Sequence, residues 1–195
     1  MTRPILVFGD HLARQDRDPL GLPARLELAQ RRVVMGYGVN GGIRRAHEAA
    51  EAVLGPVLLM DAGTPGRPDR GDALILVGMT DAKGGGPPPR DFAFQVVRLA
   101  SLCVQAGLPP SVVTTTPCPA SAGRLPGYAK GARRWQRRML PVLVDALMEA
   151  GVPHSAAVLP DEDWIDSLTL RTPGLHQLLG AARWGLESED ARRGA

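Results

Sequence analysis

A chain of 195 residues, 44% apolar and only 4% aromatic, can bury a sizeable core built mainly from Leu, Val, Ile and Ala. So few rings argue against a stacking platform for nucleic-acid bases, and a net charge of +3, with lysines confined to Lys83 and Lys130, requires no polyanionic partner. Two cysteines, Cys103 and Cys118, make neither a disulfide framework nor a C-x-x-C metal pair, which fits a reducing, cytoplasmic setting. The opening MTRPILVFGD lacks the long apolar core of a secretory signal, and no later run is long enough to span a bilayer. Neither nucleic acid nor membrane is therefore expected as a partner.

Short apolar runs recur along the chain, each ended by Gly, Pro or Asp and followed by helical spacing. ILVF (5–8) breaks off at Gly9-Asp10-His11, and a helix is expected over 23–30. RVVMGY (32–37) leads into GYGVNGG (36–42) and a helix over 43–54. The stretch GPVLLMDAGTPGRPDRGD (55–72) reads as an edge strand or a connector. ALILVG (73–78) is followed by GMTDA (78–82), the Gly/Pro loop KGGGPPPRD (83–91) and a helix over 90–106 that carries Cys103 on its apolar side. SVVTTT (111–116) precedes a helix over 129–150, and SAAVLP (155–160) precedes a helix over 174–185 and a polar tail, 187–195, expected to fray. Strands alternating with helices imply parallel pairing through right-handed crossovers. The expectation is one domain over 1–186, a three-layer α/β/α sandwich on a five-stranded parallel sheet.

In such sheets ligands bind beyond the carboxyl ends of the strands, so the residues just after each run are the informative ones. Gly9-Asp10-His11, GYGVNGG, GMTDA and TPGLHQLLGAA (172–182) occupy those places in order. Their order and spacing resemble the SGNH, or GDSL-type, hydrolases over nearly the whole chain. In that family the first block reads Gly-Asp-Ser with serine as nucleophile, the second supplies an oxyanion glycine, the third reads Gly-x-Asn-Asp and the last Asp-x-x-His. The resemblance implies a flavodoxin-like fold, a small acylated or oxygen-rich ligand and no cofactor.

Carried over residue by residue, the resemblance matches Gly38 to the oxyanion glycine, His176 to the triad histidine, and Asp10 and Asp81 to the two aspartates. Three positions have changed: His11 replaces the serine, Thr80 the oxyanion asparagine and Pro173 the triad aspartate. The hydroxyl that a base would activate is gone, and so is the carboxylate that would orient the base. Losing one oxyanion donor typically costs about 2.7 to 4 kcal/mol, and Thr80 offers one hydrogen from a shorter arm.

His11 has three readings: a general base or nucleophile for altered chemistry, a metal ligand with His176 and a carboxylate, or a filler in a site that no longer catalyses. Because a triad works as a unit, a non-hydrolytic pocket is favoured, and no metal is expected. Gly38, with Gly36, Gly41 and Gly42, suits close backbone approach to an anion as well as a tight turn. Asp10 and Asp81 read as substrate-side residues or as caps and loop anchors. Arg124, Lys130, Arg133, Arg134, Arg137 and Arg138 around Trp135 read chiefly as the solvated face of an amphipathic helix. His47 and His154 read as surface or loop residues, Cys118 as an inert thiol near the fourth strand, and Trp164 as a wall of the pocket or core.

Overall fold

The computed structural model describes residues 3–14, 21–39, 41–60, 71–78, 80–82, 86–115, 131, 134–159 and 170–193. Cys118, Arg124, Lys130, Arg133 and Trp164 lie outside them. Five strands, β1 (Ile5–Gly9), β2 (Val34–Gly38), β3 (Asp72–Val77), β4 (Pro110–Thr115) and β5 (His154–Ala157), form one parallel sheet in the order β2-β1-β3-β4-β5. The central strands are buried on both sides, as their unbroken apolar runs require.

The period-2 alternation divides those side chains between two cores. Leu6, Phe8, Ile75, Val77 and Val112 face helices α2 (Gly42–Met60), α3 (Pro89–Gln105) and α4 (Leu140–Glu149). Ile5, Val7, Leu74, Leu76 and Val113 face α1 (Leu22–Gln30) and α5 (Thr172–Arg193). This is the expected α/β/α sandwich. Cys103 is buried in the first core, which pushes its thiol up to about 12. At the amino end of the sheet Arg32 pairs with the buried Asp72 and donates to the carbonyl oxygen of Arg3 at 2.6 Å.

Several expectations need correction. Residues 55–60 are neither strand nor connector but the end of α2, which runs through Pro56. Ala46, Ala50, Leu54 and Leu58 recur every fourth residue against the core, and that stripe outweighs the Gly-Pro signal. The last helix is longer than the expected 174–185, since α5 runs from Thr172 to Arg193. Gly38 belongs to β2, which ends one residue beyond the expected strand, rather than to the loop after it. His47 is not a surface residue: it is 6% exposed, enclosed where α2 meets α3. His154 opens β5 and is half-buried.

Candidate functional site

Gly9, the last residue of β1, takes a positive φ of 152°, and a Cβ there would stand 2.3 Å from the carbonyl oxygen of Leu76 on β3. The chain therefore leaves the sheet at once and turns into a short 3-10 helix, His11–Ala13. Asp10 caps it: the Leu12 N–H donates to Asp10 Oδ1 at 3.1 Å, and the Ala13 N–H to the Asp10 carbonyl at 3.0 Å. His11, half-buried in this turn, holds Nδ1 4.0 Å from Asp10 Oδ1.

Gly38, at the end of β2, lies against the same turn. A Cβ at 38 would meet Arg14 N at 2.3 Å, the Asp10 carbonyl oxygen at 2.5 Å and Ala13 C at 2.6 Å. The glycine signal thus marks a contact between two backbones. Sequence reasoning offered both a turn and an anion cradle, and these distances account for the packing role.

The loop after β3 carries Thr80, half-buried, and Asp81, 6% exposed. Asp81 turns away from its own strand and receives the Ile43 N–H on both carboxylate oxygens, at 3.0 and 3.2 Å. It thereby caps α2 from outside that helix, where the helix dipole favours a negative group. Gly42, at φ 73°, is tied to this arrangement, since its Cβ would stand 2.3 Å from Asp81 Oδ1. Burial pushes the Asp81 carboxyl up to about 7; the nearby charge of Asp10 acts in the same direction, while the Ile43 N–H opposes both.

Pro173 and His176 lie on the exposed side of the first turns of α5. Arg25 of α1 donates from Nη1 to His176 Nε2 at 3.2 Å. Among the described residues this is the hydrogen bond the His176 ring makes; none joins it to His11. The structure thus brings Asp10, His11, Gly38 and Asp81 together at the carboxyl edge of β1, β2 and β3, and gives His176 an arginine. Arg25 was not singled out from the sequence: it lies 151 positions from its partner, and α1 carries no motif that marks it. Among the described residues no three His, Cys, Asp or Glu side chains gather as a metal site.

Trp135 is a core residue that backs the end of β3. It begins a π-helical turn, Trp135–Met139, whose indole ring packs edge-on to Phe92 and would lie 2.9 Å from a Cβ on Gly78, just past the end of β3. Arg134, one residue before, donates to the carbonyl oxygens of Gly86 at 2.9 Å and of Pro87. Of the arginine-rich stretch, Arg134 therefore anchors a loop, whereas Gln136, Arg137 and Arg138 face solvent.

No family model and no curated protein sequence matches the chain. Solved structures do. Est24, a carbohydrate acetylesterase from Sinorhizobium meliloti, aligns with a TM-score of 0.63 at 14% identity, over 96% of this chain and 99% of that one. The aryl esterase of M. smegmatis aligns with a TM-score of 0.63 at 16% identity, over 96% and 99%. A protein assigned to the G-D-S-L lipolytic family, from Desulfitobacterium hafniense DCB-2, aligns with a TM-score of 0.61 at 14% identity, over 93% and 98%. At these identities the likeness speaks for the backbone and not for the chemistry. The alignments run over nearly the whole of each chain, and this chain shares the α/β fold of these esterases.

Proposed function

We propose that this chain is a divergent SGNH hydrolase-like protein that has lost ordinary serine-esterase chemistry and binds a small acylated or oxygen-rich metabolite beside His11 and His176. The observation that carries this reading is the Arg25–His176 bond. In a serine triad Nε2 of the histidine takes the proton from the nucleophile. A guanidinium has only hydrogens to give, so here the Nε2 lone pair is already engaged. His11 in the serine position, Thr80 in place of the asparagine and Pro173 in place of the aspartate each remove another part of that chemistry. Cytoplasmic residence is proposed on the two-cysteine composition.

A second reading has one observation in its favour: the 4.0 Å approach of Asp10 Oδ1 to His11 Nδ1. A carboxylate beside an imidazole can orient it, so His11 would serve as acid and base for hydrolysis or acyl transfer, with Thr80 and the Gly38 backbone near the developing charge.

One experiment separates the two. The purified chain is offered p-nitrophenyl acetate and a panel of acetylated sugars, and ligand binding to the same panel is followed by thermal shift. The binding reading expects no turnover above buffer, with panel members raising Tm in the wild type and less so in His11→Ala. Turnover lost in His11→Ala would establish the second reading, and turnover unchanged in a His11→Ala/His176→Ala variant would sink both.

A further inference from the structure

The longest acid-free stretch of the chain runs from Phe92 to Val144 and contains seven arginines and lysines. Elsewhere arginines meet carboxylates: Arg32 with Asp72, Arg44 and Arg45 with Glu48, Arg98 with Glu51 and Arg183 with Glu187. Arg90, Arg137 and Arg138 are exposed and make no ion pair among the described residues.

Arg90 lies in the first turn of α3 and lines a groove of about 440 Å³ between α3 and α4. Its floor is apolar, formed by Ala93, Phe94 and Val97 of α3 with Val142 and Ala146 of α4, and its lining is completed by Ala150 and by one carboxylate, Glu149, at the far end of α4 from Arg138. Phe94, one of three phenylalanines in the chain, is 64% exposed there. Arg138, exposed in the π-helical turn that leads into α4, stands four residues before Val142, and the packing of Trp135 on Phe92 brings the starts of the two helices together, so Arg90 and Arg138 are exposed cations toward the same end of the apolar trough. Such a volume is within the range of small-molecule sites, and guanidinium groups pair geometrically with carboxylate and phosphate oxygens. Three cations do not suffice for a nucleic acid, which presents charge continuously along its length.

We infer that the α3–α4 groove binds a single-chain amphiphile, its hydrocarbon tail laid over Phe94, Val97 and Val142 and its carboxylate or phosphate head held by Arg90 and Arg138. The site is on the outer helical layer, apart from the sheet edge that carries His11, and it does not depend on whether that edge catalyses.

Isothermal titration calorimetry of the full chain tests it with four probes below their micelle concentrations: decanoate, decyl phosphate, decyl maltoside and inorganic pyrophosphate. Decanoate, decyl phosphate or both are expected to bind at one site, and which of them binds more tightly identifies the head group. The neutral maltoside and the tail-less pyrophosphate are expected to bind at least about tenfold more weakly, the loss expected for one charge-assisted contact or an equivalent buried area. Arg90→Gln/Arg138→Gln is expected to weaken the anionic amphiphile about tenfold or more, with Phe94→Ala weakening it through the tail and His11→Ala leaving it unchanged. Both exposed positions tolerate these changes without loss of core contacts; if the double variant fails to fold, the single Arg90→Gln carries the test. No binding of either anionic amphiphile, equal binding of the maltoside or of pyrophosphate, or unchanged binding in the arginine variants would overturn the inference.

Discussion

Arg25 and His176, 151 positions apart, join α1 to α5 through a hydrogen bond of 3.2 Å from a guanidinium to the Nε2 of an imidazole. The bond fixes the tautomer: Nε2 accepts, so the ring proton of the neutral form sits on Nδ1. An imidazole held in this way is a docking point between two helices.

On the proposed reading, a serine placed at position 11 alone is not expected to give an esterase. His11→Ser should remain unlabelled by a serine-directed fluorophosphonate, because on the proposed reading the base His176 is held by Arg25 and positions 173 and 80 offer neither an orienting carboxylate nor an oxyanion amide. A variant that combines His11→Ser, Thr80→Asn, Pro173→Asp and Arg25→Ala is expected to label. Intact-mass spectrometry reads the outcome, and labelling of His11→Ser alone would show that His176 is free to act as base.

Gly38→Ala should destabilise the fold by roughly 1–3 kcal/mol or more, the usual range for forcing a methyl into filled space. The nearest atoms, Arg14 N, the Asp10 carbonyl oxygen and Ala13 C, are all backbone and cannot turn aside. Urea unfolding followed by circular dichroism would show a lower midpoint with an unchanged slope.

Asp81 makes stability depend on pH in a sense opposite to most carboxylates. Its pKa rises from 3.8 in the unfolded chain to about 7 in the fold, so the native state holds the proton more tightly. Its contribution is complete below pH 3.8 and is lost as pH rises through about 7. The change is on the order of a few kcal/mol. Asp81→Asn keeps an oxygen for the Ile43 N–H but cannot titrate. Relative to the wild type, its urea midpoint should gain steadily from pH 4.5 to pH 8, and parallel profiles would show that Asp81 does not titrate in this range.

His47 acts on the acid side. Burial lowers its pKa below 6.5, with Arg98 assisting and Glu51 and Glu48 opposing. Here the unfolded chain takes up the proton first, so stability is held above pH 6.5 and lost as pH falls toward the lower native value. Its Nε2 is buried without a hydrogen-bond partner among the described residues. His47→Leu gives up the 3.3 Å contact of Nδ1 with the half-exposed Glu51 carboxylate but removes the unpaired Nε2, so it is expected to be near neutral at pH 7.5 and to retain more stability than the wild type at pH 5.5. Thermal melts at the two values check both statements.

The sheet was legible because buried parallel strands must be continuous apolar runs, and ILVF and ALILVG are such runs in β1 and β3. The loops at its carboxyl edge were legible because Gly9, Gly38 and Gly42 sit where one chain crowds another. Residues 55–60 misled because Gly55-Pro56 punctuates a local window, whereas the alanine and leucine stripe that keeps α2 helical extends on both sides of it. His47 misled for a similar reason: its helix neighbours Arg44, Arg45 and Glu48 are polar, and only the approach of α3 encloses it. Arg25 was illegible in principle, as a pairing made entirely by tertiary structure.

At Gly9, Gly38 and Gly42, the edge that carries His11 keeps its shape by having no room for a methyl group. A scaffold specified by such exclusions places little demand on the identity of the side chains mounted on it. The side chains at 11 and 80 can therefore be varied by mutation while the backbone beneath them holds its course, which makes this edge a frame whose chemistry can be rewritten without rebuilding the fold.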